Sequence, residues 1–404
     1  MRNLYVAFLV SLVSFLVSWL VYPWVLRYAV RHRIVDNPNA RKLQRVPVPV
    51  MGGIVVYAGI IAGCAALLPF LQNIALYWIV LAMTGMLFIG IWDDVCNLSA
   101  KVRLLLEFGL VGMFMFQTNM YINDFHGLFG LHQLSDWVAI PLSLVAGVGI
   151  INAVNLIDGV DGYTAGYGML ACGCFAVLFM TIWRPVWVCM AVVVFASLLP
   201  FFLHNVFGKK TKMFFGDGGT LMLGALLAFY VFGILWERSR CNVLEQQNVG
   251  LIALTLAVLC IPVFDTLRVM TMRMFRGRSP FKPDKTHLHH LFIDMGFSHL
   301  GAAASLLFVN LSVVLVWLLL WLLGASINVQ TIAVLLMGLS ATFGFYVFMR
   351  RQQRGGPLGV KGRPKGTWVW HHFCYLGYLS RHLELGRVWK FLRWLVDRDA
   401  YWIK

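Results

Sequence analysis

Two adjacent carboxylates, Asp93 and Asp94, end a long apolar run of the sequence, and the cations Lys101 and Arg103 follow within ten residues. A charge beside a bilayer-spanning segment is costly, so residues of this kind usually serve a function. Carboxylates bind hard divalent cations, and the neighbouring basic side chains suit phosphate. The pair therefore predicts a site that handles phosphate together with a metal ion.

A second polar segment, 152–162, brings two amides and two carboxylates to the end of another apolar run. Asn152 and Asn155 lie three residues apart and share one face if the segment is helical. The glycines that follow let the backbone turn and approach a ligand. A helix cap or a turn accounts for one aspartate, but it does not account for both Asp158 and Asp161.

A third polar segment, 214–220, places Asp217 at the start of an apolar run among three glycines. Free N–H groups at a helix start bind anions, and a carboxylate there can hold a cation bound to the same anion. Taken alone, Asp217 is more often the N-cap of a helix. A cation-binding role therefore depends on the other segments.

A fourth segment, 273–290, is basic and contains His287, His289 and His290. Together with the cations that begin at Arg268, this cluster suggests a loop that binds diphosphate. A zinc site is the alternative, but the segment offers no cysteine and no clear carboxylate partner.

The apolar runs that must position these residues make the chain a polytopic membrane protein. Of its 404 residues, 60% are hydrophobic and only 12% are charged, whereas soluble domains carry about twice that share of charge. A helical span needs about twenty apolar residues, and we expect an all-α bundle of about eleven transmembrane helices. The runs lie near 4–26, 51–70, 74–92, 104–122, 136–156, 163–182, 186–204, 218–236, 248–270, 299–322 and 329–349.

The basic residues predict the orientation of these spans. If the loop 27–50, which contains Asp36 and Lys42, is cytoplasmic, then cytoplasmic segments hold 29 of the 33 lysines and arginines. The N-terminus is then outside, the C-terminus is cytoplasmic, and all four polar segments lie at the cytoplasmic face. Only scattered polar residues remain on the other side. The net charge of +16 is thus spread between spans and does not predict nucleic-acid binding.

The chain divides into a transmembrane domain, residues 1–350, and a basic cytoplasmic tail, residues 351–404. Near the end of the tail, basic residues share one helical face and apolar residues another; they are Arg387, Lys390 and Arg393, and Val388, Leu392 and Leu395. This pattern favours a helix that lies on the anionic inner leaflet. The alternative is a helix packed on the bundle.

Hard oxygen ligands at one face suit Mg²⁺ or Mn²⁺ rather than Zn²⁺. Carboxylates, a cation site and basic loops are together the components of metal-assisted phosphoryl transfer. Because the site opens at the bilayer surface, we expect one substrate to be a lipid.

Taken in order, the polar segments resemble those of the polyprenyl-phosphate N-acetylhexosamine-1-phosphate transferases, enzymes of the glycosyltransferase 4 type. The resemblance runs from about residue 36 to residue 297. It is carried by Asp93-Asp94 with the 97–101 stretch, and by 279–281 with the histidines of 287–290. The sequence is more similar to the bacterial members that start O-antigen, common-antigen or teichoic-acid linkage synthesis than to the peptidoglycan branch, which usually has ten spans.

The resemblance implies transfer of N-acetylhexosamine-1-phosphate, with GlcNAc-1-phosphate expected, from a UDP-sugar to undecaprenyl phosphate, with release of UMP. It implies a Mg²⁺ requirement, with Mn²⁺ as the alternative ion. It also implies a multi-pass protein of the bacterial inner membrane with a periplasmic N-terminus and a cytoplasmic active site. The expected partners are the two substrates and the bilayer, with a homodimer as one form of assembly.

The resemblance also assigns roles to single residues. The catalytic set is Asp93, Asp94, Lys101, Asp158 and His287. The metal ligands are Asp217 and Asn155. The substrate-binding set is Asp161 and Phe214, which hold and stack the uracil, with Asn205, Arg103, His289, His290 and Lys42. Two positions depart from the family pattern: Gln44 stands where relatives often carry His, and Thr220 where Ser is usual.

Two other functions remain open from the residues alone. A transporter or flippase of a lipid-linked sugar would need polar groups near mid-bilayer, and these are scarce. A sugar-nucleotide sensor would use the same pocket without turnover. For the enzyme itself, direct attack and a covalent aspartyl-phosphate route are both compatible with the sequence.

Overall fold

Helices form where the apolar runs predict them, because a backbone in lipid must satisfy its own hydrogen bonds. The computed structural model describes residues 2–36, 46–68, 70, 73–236, 244–280, 286–353, 368–383 and 386–398. The helices of the bundle are α1 (Arg2–Arg31), α2 (Gly52–Leu67), α3 (Ile74–Cys96), α4 (Ala100–Thr118), α5 (Asp136–Leu156), α6 (Tyr163–Thr181), α7 (Pro185–Phe207), α8 (Gly216–Leu235), α9 (Leu251–Val258), α10 (Cys260–Phe275), α11 (Leu288–Asp294), α12 (His299–Leu322), α13 (Ile327–Leu339) and α14 (Phe345–Gln353), the last two joined by a π-helical turn, Ser340–Gly344.

Within the described ranges, eight helices are long and apolar enough to cross a membrane. Helices α9 and α10 are bent by 75° at their junction and make a ninth span if they act as one. Two further predicted spans correspond to α2 and α4, which are not among these eight helices. Helix α2 has only 16 residues, and α4 carries three charged side chains. The all-α, polytopic class is thus confirmed. The count of eleven spans and their orientation remain predictions.

Helix α8 is the centre of the bundle, since its apolar stretch is buried along its whole length. Helices α3 and α5 pack on its two sides. The crossing with α3 is close because Gly90 faces the start of α8: a Cβ at this glycine would lie 2.3 Å from the Gly218 nitrogen. Since side chains at the end of α3 are only a turn away, this contact brings Asp93 and Asp94 beside Asp217.

Two short antiparallel hairpins interrupt the helical chain. Strands β1 (Val35–Asp36) and β2 (Val48–Pro49) pair beside the start of α2, and β3 (Asp124–Leu128) and β4 (Leu131–Gln133) pair between α4 and α5. The second hairpin corrects one expectation about the other face of the bundle. The polar residues of that face are not all scattered. Asp124 and His126 of the hairpin lie beside Glu245, and the His126 side chain is hydrogen-bonded to Glu245.

The tail forms two helices, α15 (Trp368–Leu383) and α16 (Arg387–Asp397). Helix α16 packs on the end of α7, where the Trp389 ring meets the Phe207 ring at 4.7 Å. One face of the helix therefore packs on the bundle. Val388 of the predicted apolar face is exposed together with Phe391 and Trp394. Membrane contact through that exposed face stays a prediction.

Candidate active site

A cavity of about 1850 Å³ opens among α3, α4, α5, α8 and α10. Twelve of the fourteen predicted site residues line it: Asp93, Asp94, Arg103, Asn155, Asp158, Asp161, Asn205, Phe214, Asp217, His287, His289 and His290. Lys101 does not line this cavity and is exposed. Lys42 and Gln44 lie outside the described residues. The tertiary structure therefore brings all four polar segments, including the three histidines, to one place.

The turn between α3 and α4 fixes Asp93 against Arg103. Asn97 adopts the left-handed conformation and its N–H bonds the Asp93 carbonyl oxygen at 2.8 Å, which ends α3. The Asp93 carboxylate then accepts from the Leu98 N–H at 2.8 Å and from Arg103 Nη1 at 2.9 Å. Of the two cations that the sequence offered as partner, Arg103 is thus the one that holds this carboxylate.

Asp217 lies in the first turn of α8, directly after Gly216, whose φ of 76° favours glycine. The Asn155 side-chain nitrogen donates to Asp217 Oδ1 and to the Thr220 hydroxyl, both at 2.8 Å. Arg103 Nη1 lies 3.9 Å from Asp217 Oδ2. Threonine keeps the hydroxyl that a serine would have at position 220, and this hydroxyl accepts the hydrogen bond from Asn155.

We call Asp93, Asp94 and Asp217 the acidic cluster. Two polar residues behind the cluster hold Arg103 in place. Arg103 donates to the Asn152 side-chain oxygen at 3.2 Å and lies 3.4 Å from the Glu107 carboxylate. Glu107 is fully buried and accepts a hydrogen bond from the Asn152 side chain. Sequence reasoning missed Glu107. Its signal was a carboxylate four residues after Arg103 inside an apolar run.

Carboxyl groups outnumber cations in this region. In the described part of the chain, Arg103 is the cation paired with the acidic cluster, and it also serves Glu107. A half-buried group of carboxylate oxygens in such excess fits a hard divalent cation such as Mg²⁺. Asp217 and Asp94 offer the ligand oxygens. Asn155 touches Asp217 through its nitrogen, and its carbonyl oxygen is the atom a metal would use.

A second carboxylate at the cavity, Asp161, is neutralised instead. Its Oδ2 lies 2.5 Å from Lys212 Nζ and 3.1 Å from His299 Nδ1. Burial alone would raise the pKa of Asp161, but His299 and Lys212 hold it below the usual value. We call these three residues the Asp161 triad. Lys212 and His299 were missed because their pairing joins segments far apart in sequence.

Asn205 and Phe214 lie beside the Asp161 triad. The Asn205 side chain accepts from the Gly162 N–H at 2.6 Å and donates to the Met213 carbonyl at 2.9 Å, so it ties two loops together. Phe214 is half-buried with Lys212 Nζ 5.7 Å from its ring centre. A flat ring beside a neutralised carboxylate is suited to a heterocyclic base.

Asp158 lies between the two groups and accepts a hydrogen bond from the Thr164 hydroxyl at 2.7 Å. Desolvation by the surrounding protein raises the pKa of Asp158 to about 7. The side chain is exposed to the open cavity, and water there opposes this shift.

The histidine cluster is anchored by a residue pair that sequence reasoning did not assign. Asp265 Oδ2 bonds His287 Nδ1 at 2.9 Å, while Asp265 Oδ1 accepts from Arg268 Nη2 at 2.7 Å. His287 is thus held through its Nδ1.

His289 packs on the turn that carries the second polar segment. A Cβ at Gly159 would lie 2.1 Å from its Nε2, so only glycine fits. Burial lowers the pKa of His289 well below the usual value, because an apolar surrounding disfavours the charged form. A neutral His289 can donate a hydrogen bond to phosphate but adds no charge.

Comparison with known proteins agrees with this geometry. The sequence model of Glycosyl transferase family 4 matches residues 76–235, which include the whole acidic cluster and Asp161. A probable undecaprenyl-phosphate N-acetylglucosaminyl 1-phosphate transferase of Bacillus subtilis (strain 168) is 30% identical over 351 residues, which are 87% of this chain and 91% of the relative.

The chain belongs to glycosyl transferase family 4, as one of its polyprenyl-phosphate N-acetylhexosamine-1-phosphate transferases. The undecaprenyl-phosphate alpha-N-acetylglucosaminyl 1-phosphate transferase of Escherichia coli (strain K12) is also similar, with 33% identity over 278 residues, 66% of this chain and 70% of the relative. The resemblance to polyprenyl-phosphate N-acetylhexosamine-1-phosphate transferases is therefore confirmed.

Proposed function

We propose that this protein transfers GlcNAc-1-phosphate from UDP-GlcNAc to undecaprenyl phosphate in the bacterial inner membrane. The observation that carries the proposal is the joining of two environments in one cavity. The acidic cluster lines its polar part, and a long apolar part continues along α4, α5, α9 and α10 to strand β3, lined among others by Phe108, Leu142, Val145, Leu256, Val263 and Phe125. A charged headgroup and an isoprenoid chain can thus be held together.

The UDP-sugar is assigned to the side of the Asp161 triad. Phe214 offers a face for the uracil, and Asp161 offers acceptors for its N–H. The diphosphate then lies between the triad and the acidic cluster, where His287, His289 and His290 can donate hydrogen bonds.

Asp93 is the residue assigned to the lipid phosphate. Its carboxylate is already oriented by Leu98 and Arg103, and Arg103 can also face the phosphate oxygens. An oxygen of the lipid phosphate attacks the β-phosphorus, the bond from that phosphorus to the bridging oxygen breaks, and UMP leaves with that oxygen. Asp94 accepts from the Gly218 N–H at 3.4 Å and from the Asp217 N–H, and its remaining acceptor capacity can serve a proton or a cation.

A bound Mg²⁺ would neutralise diphosphate charge in the developing transition state, and Asp217 with Asp94 and the Asn155 oxygen would hold it. The class of pathway served is also part of the proposal. A lipid-linked GlcNAc diphosphate is the start of a cell-surface polymer, with the site on the cytoplasmic face as the basic loops predict.

The purified protein tests the proposal. With UDP-GlcNAc, undecaprenyl phosphate and Mg²⁺, we expect UMP and a lipid-linked product in equal amounts, and neither when one substrate is omitted. UDP-GalNAc serves as the matched alternative sugar. A transporter or a sensor would bind substrate without releasing UMP, and that result would overturn the proposal.

A further inference from the structure

The last residue of α16, Asp397, holds a loop of the bundle. Its carboxylate accepts from three consecutive backbone N–H groups, those of Lys209, Lys210 and Thr211, at 3.0, 3.2 and 3.1 Å. It also accepts from the Thr211 hydroxyl at 2.8 Å. Charge-assisted bonds to successive N–H groups fix a loop more strongly than neutral ones. The tail thus binds the backbone of the α7–α8 connection.

The loop held in this way leads directly into the active site. Thr211 is also fixed from the bundle side, because its carbonyl accepts from the Tyr22 hydroxyl at 2.7 Å and its side chain meets His204 at 3.1 Å. The next residue is Lys212, the first cationic partner of Asp161. A shift of the 209–211 backbone would therefore move the Lys212 amine.

Helix α15 makes an equivalent contact with the segment that carries the other partner. The Ser298 N–H donates to Ser380 Oγ at 3.2 Å, and a Cβ at Gly301 would lie 2.5 Å from the Ser380 Cβ. The residue after Ser298 is His299, the second partner of Asp161. Both tail helices therefore touch the chain within one residue of a side chain that contacts the Asp161 carboxylate.

We propose that α15 and α16 position the end of the site that binds the UDP-sugar, and that Asp397 is the main positioning residue, acting through Lys212. This inference rests on the proposed transfer reaction. The acidic cluster lies on helix ends and makes no contact of this kind with the tail among the described residues. Loss of the tail contact should therefore weaken UDP-sugar binding and leave the chemical step nearly unchanged.

Asp397→Ala tests the proposal in the full-length protein. We expect the KM for UDP-GlcNAc to rise about tenfold, because the loop must be ordered on binding, with kcat within about twofold of wild type. Asp397→Asn keeps one acceptor oxygen and should give a smaller rise. Arg393→Ala, an exposed residue of the same helix, is the matched control and should change neither constant. An unchanged KM in Asp397→Ala would overturn the proposal.

Hydrogen exchange provides a readout that needs no turnover. We expect amides of 209–212 to exchange faster in Asp397→Ala than in wild type, while α8 exchanges alike in both. Identical exchange in this segment would overturn the proposal whatever the kinetics. If wild type releases no UMP but the exchange still differs, the positioning contact stands and the proposed reaction falls. Should Asp397→Ala fail to fold, Asp397→Asn carries the same comparison.

Discussion

The acidic cluster and the Asp161 triad each place carboxylate at the same cavity, yet they are held in different ways. The cluster lies on the ends of α3 and α8, where Gly90 lets the two helices touch. The triad joins the loops before α6 and α8 to the start of α12, and two of these segments contact the C-terminal tail. The first arrangement is a property of the helical core, and the second depends on loops.

The two groups also differ in charge. In the cluster, Asp93 and Asp217 share Arg103, so the carboxylates outnumber the cation among the described residues. In the triad, one carboxylate has two basic partners, so no cation is needed. This difference supports our proposal that one side of the cavity acts on the reacting phosphate and the other binds the nucleotide. Variants of the cluster should therefore lower kcat, whereas variants of the triad should raise KM.

The largest effect is expected for Asp217→Asn. Removing one charge from the cluster takes away a cation ligand, so we expect kcat to fall by about 1000-fold or more with little change in UDP-GlcNAc affinity. Steady-state UMP release with Mg²⁺ measures it. Asp136→Asn, the same substitution in the first turn of α5, is the control and should keep wild-type rates. Near-normal turnover in Asp217→Asn would exclude the cation assignment.

Arg103→Gln should have the next largest effect. It leaves Asp93 without its cation and strands the buried Glu107 charge, so we expect about 100-fold lower kcat and a loss of about 3 kcal/mol in the free energy of unfolding. Turnover and thermal unfolding in detergent test both parts. Lys101→Gln removes an exposed cation two residues earlier and should be close to wild type. Equal losses of kcat in the two variants would mean that Lys101 also acts as a cationic partner of Asp93.

A smaller and different effect is expected in the triad. Lys212→Met removes one partner of Asp161, and we expect the KM for UDP-GlcNAc to rise about tenfold while kcat stays within about threefold. Lys209→Met is the control, since this exposed residue contributes its backbone N–H. A fall in kcat at constant KM would show that Lys212 serves the chemical step rather than the binding of UDP-GlcNAc.

The smallest effect concerns Asp158 and pH. The folded protein holds the Asp158 proton more tightly than the unfolded chain, so this residue lowers the free energy of unfolding as the pH rises from about 4 to about 7. Asp158→Asn should melt about 2 °C higher than wild type at pH 8 and alike at pH 4, since cavity water screens the charge. A difference that grows toward low pH would contradict the assignment.

Much of this arrangement follows from the sequence because it depends on local patterns. Apolar runs predict the helices, and the aspartates at their ends predict where the cluster forms. The partners did not follow: Lys212, His299 and Glu107 are ordinary charged residues until the fold brings them to a carboxylate. The amphipathic pattern of α16 fits a bilayer or a protein equally well, so its contact with α7 could not be predicted from the sequence, and its contact with lipid stays a prediction.

The central claim is that the bond broken lies between the two phosphorus atoms of the UDP-sugar, and one measurement addresses it directly. Purified protein is given undecaprenyl phosphate, Mg²⁺ and UDP-GlcNAc that carries ³²P in the β-phosphate. We predict that the label moves to the lipid fraction while unlabelled UMP is released in equal amount. Release of labelled UDP, or a lipid product without the label, would contradict the account.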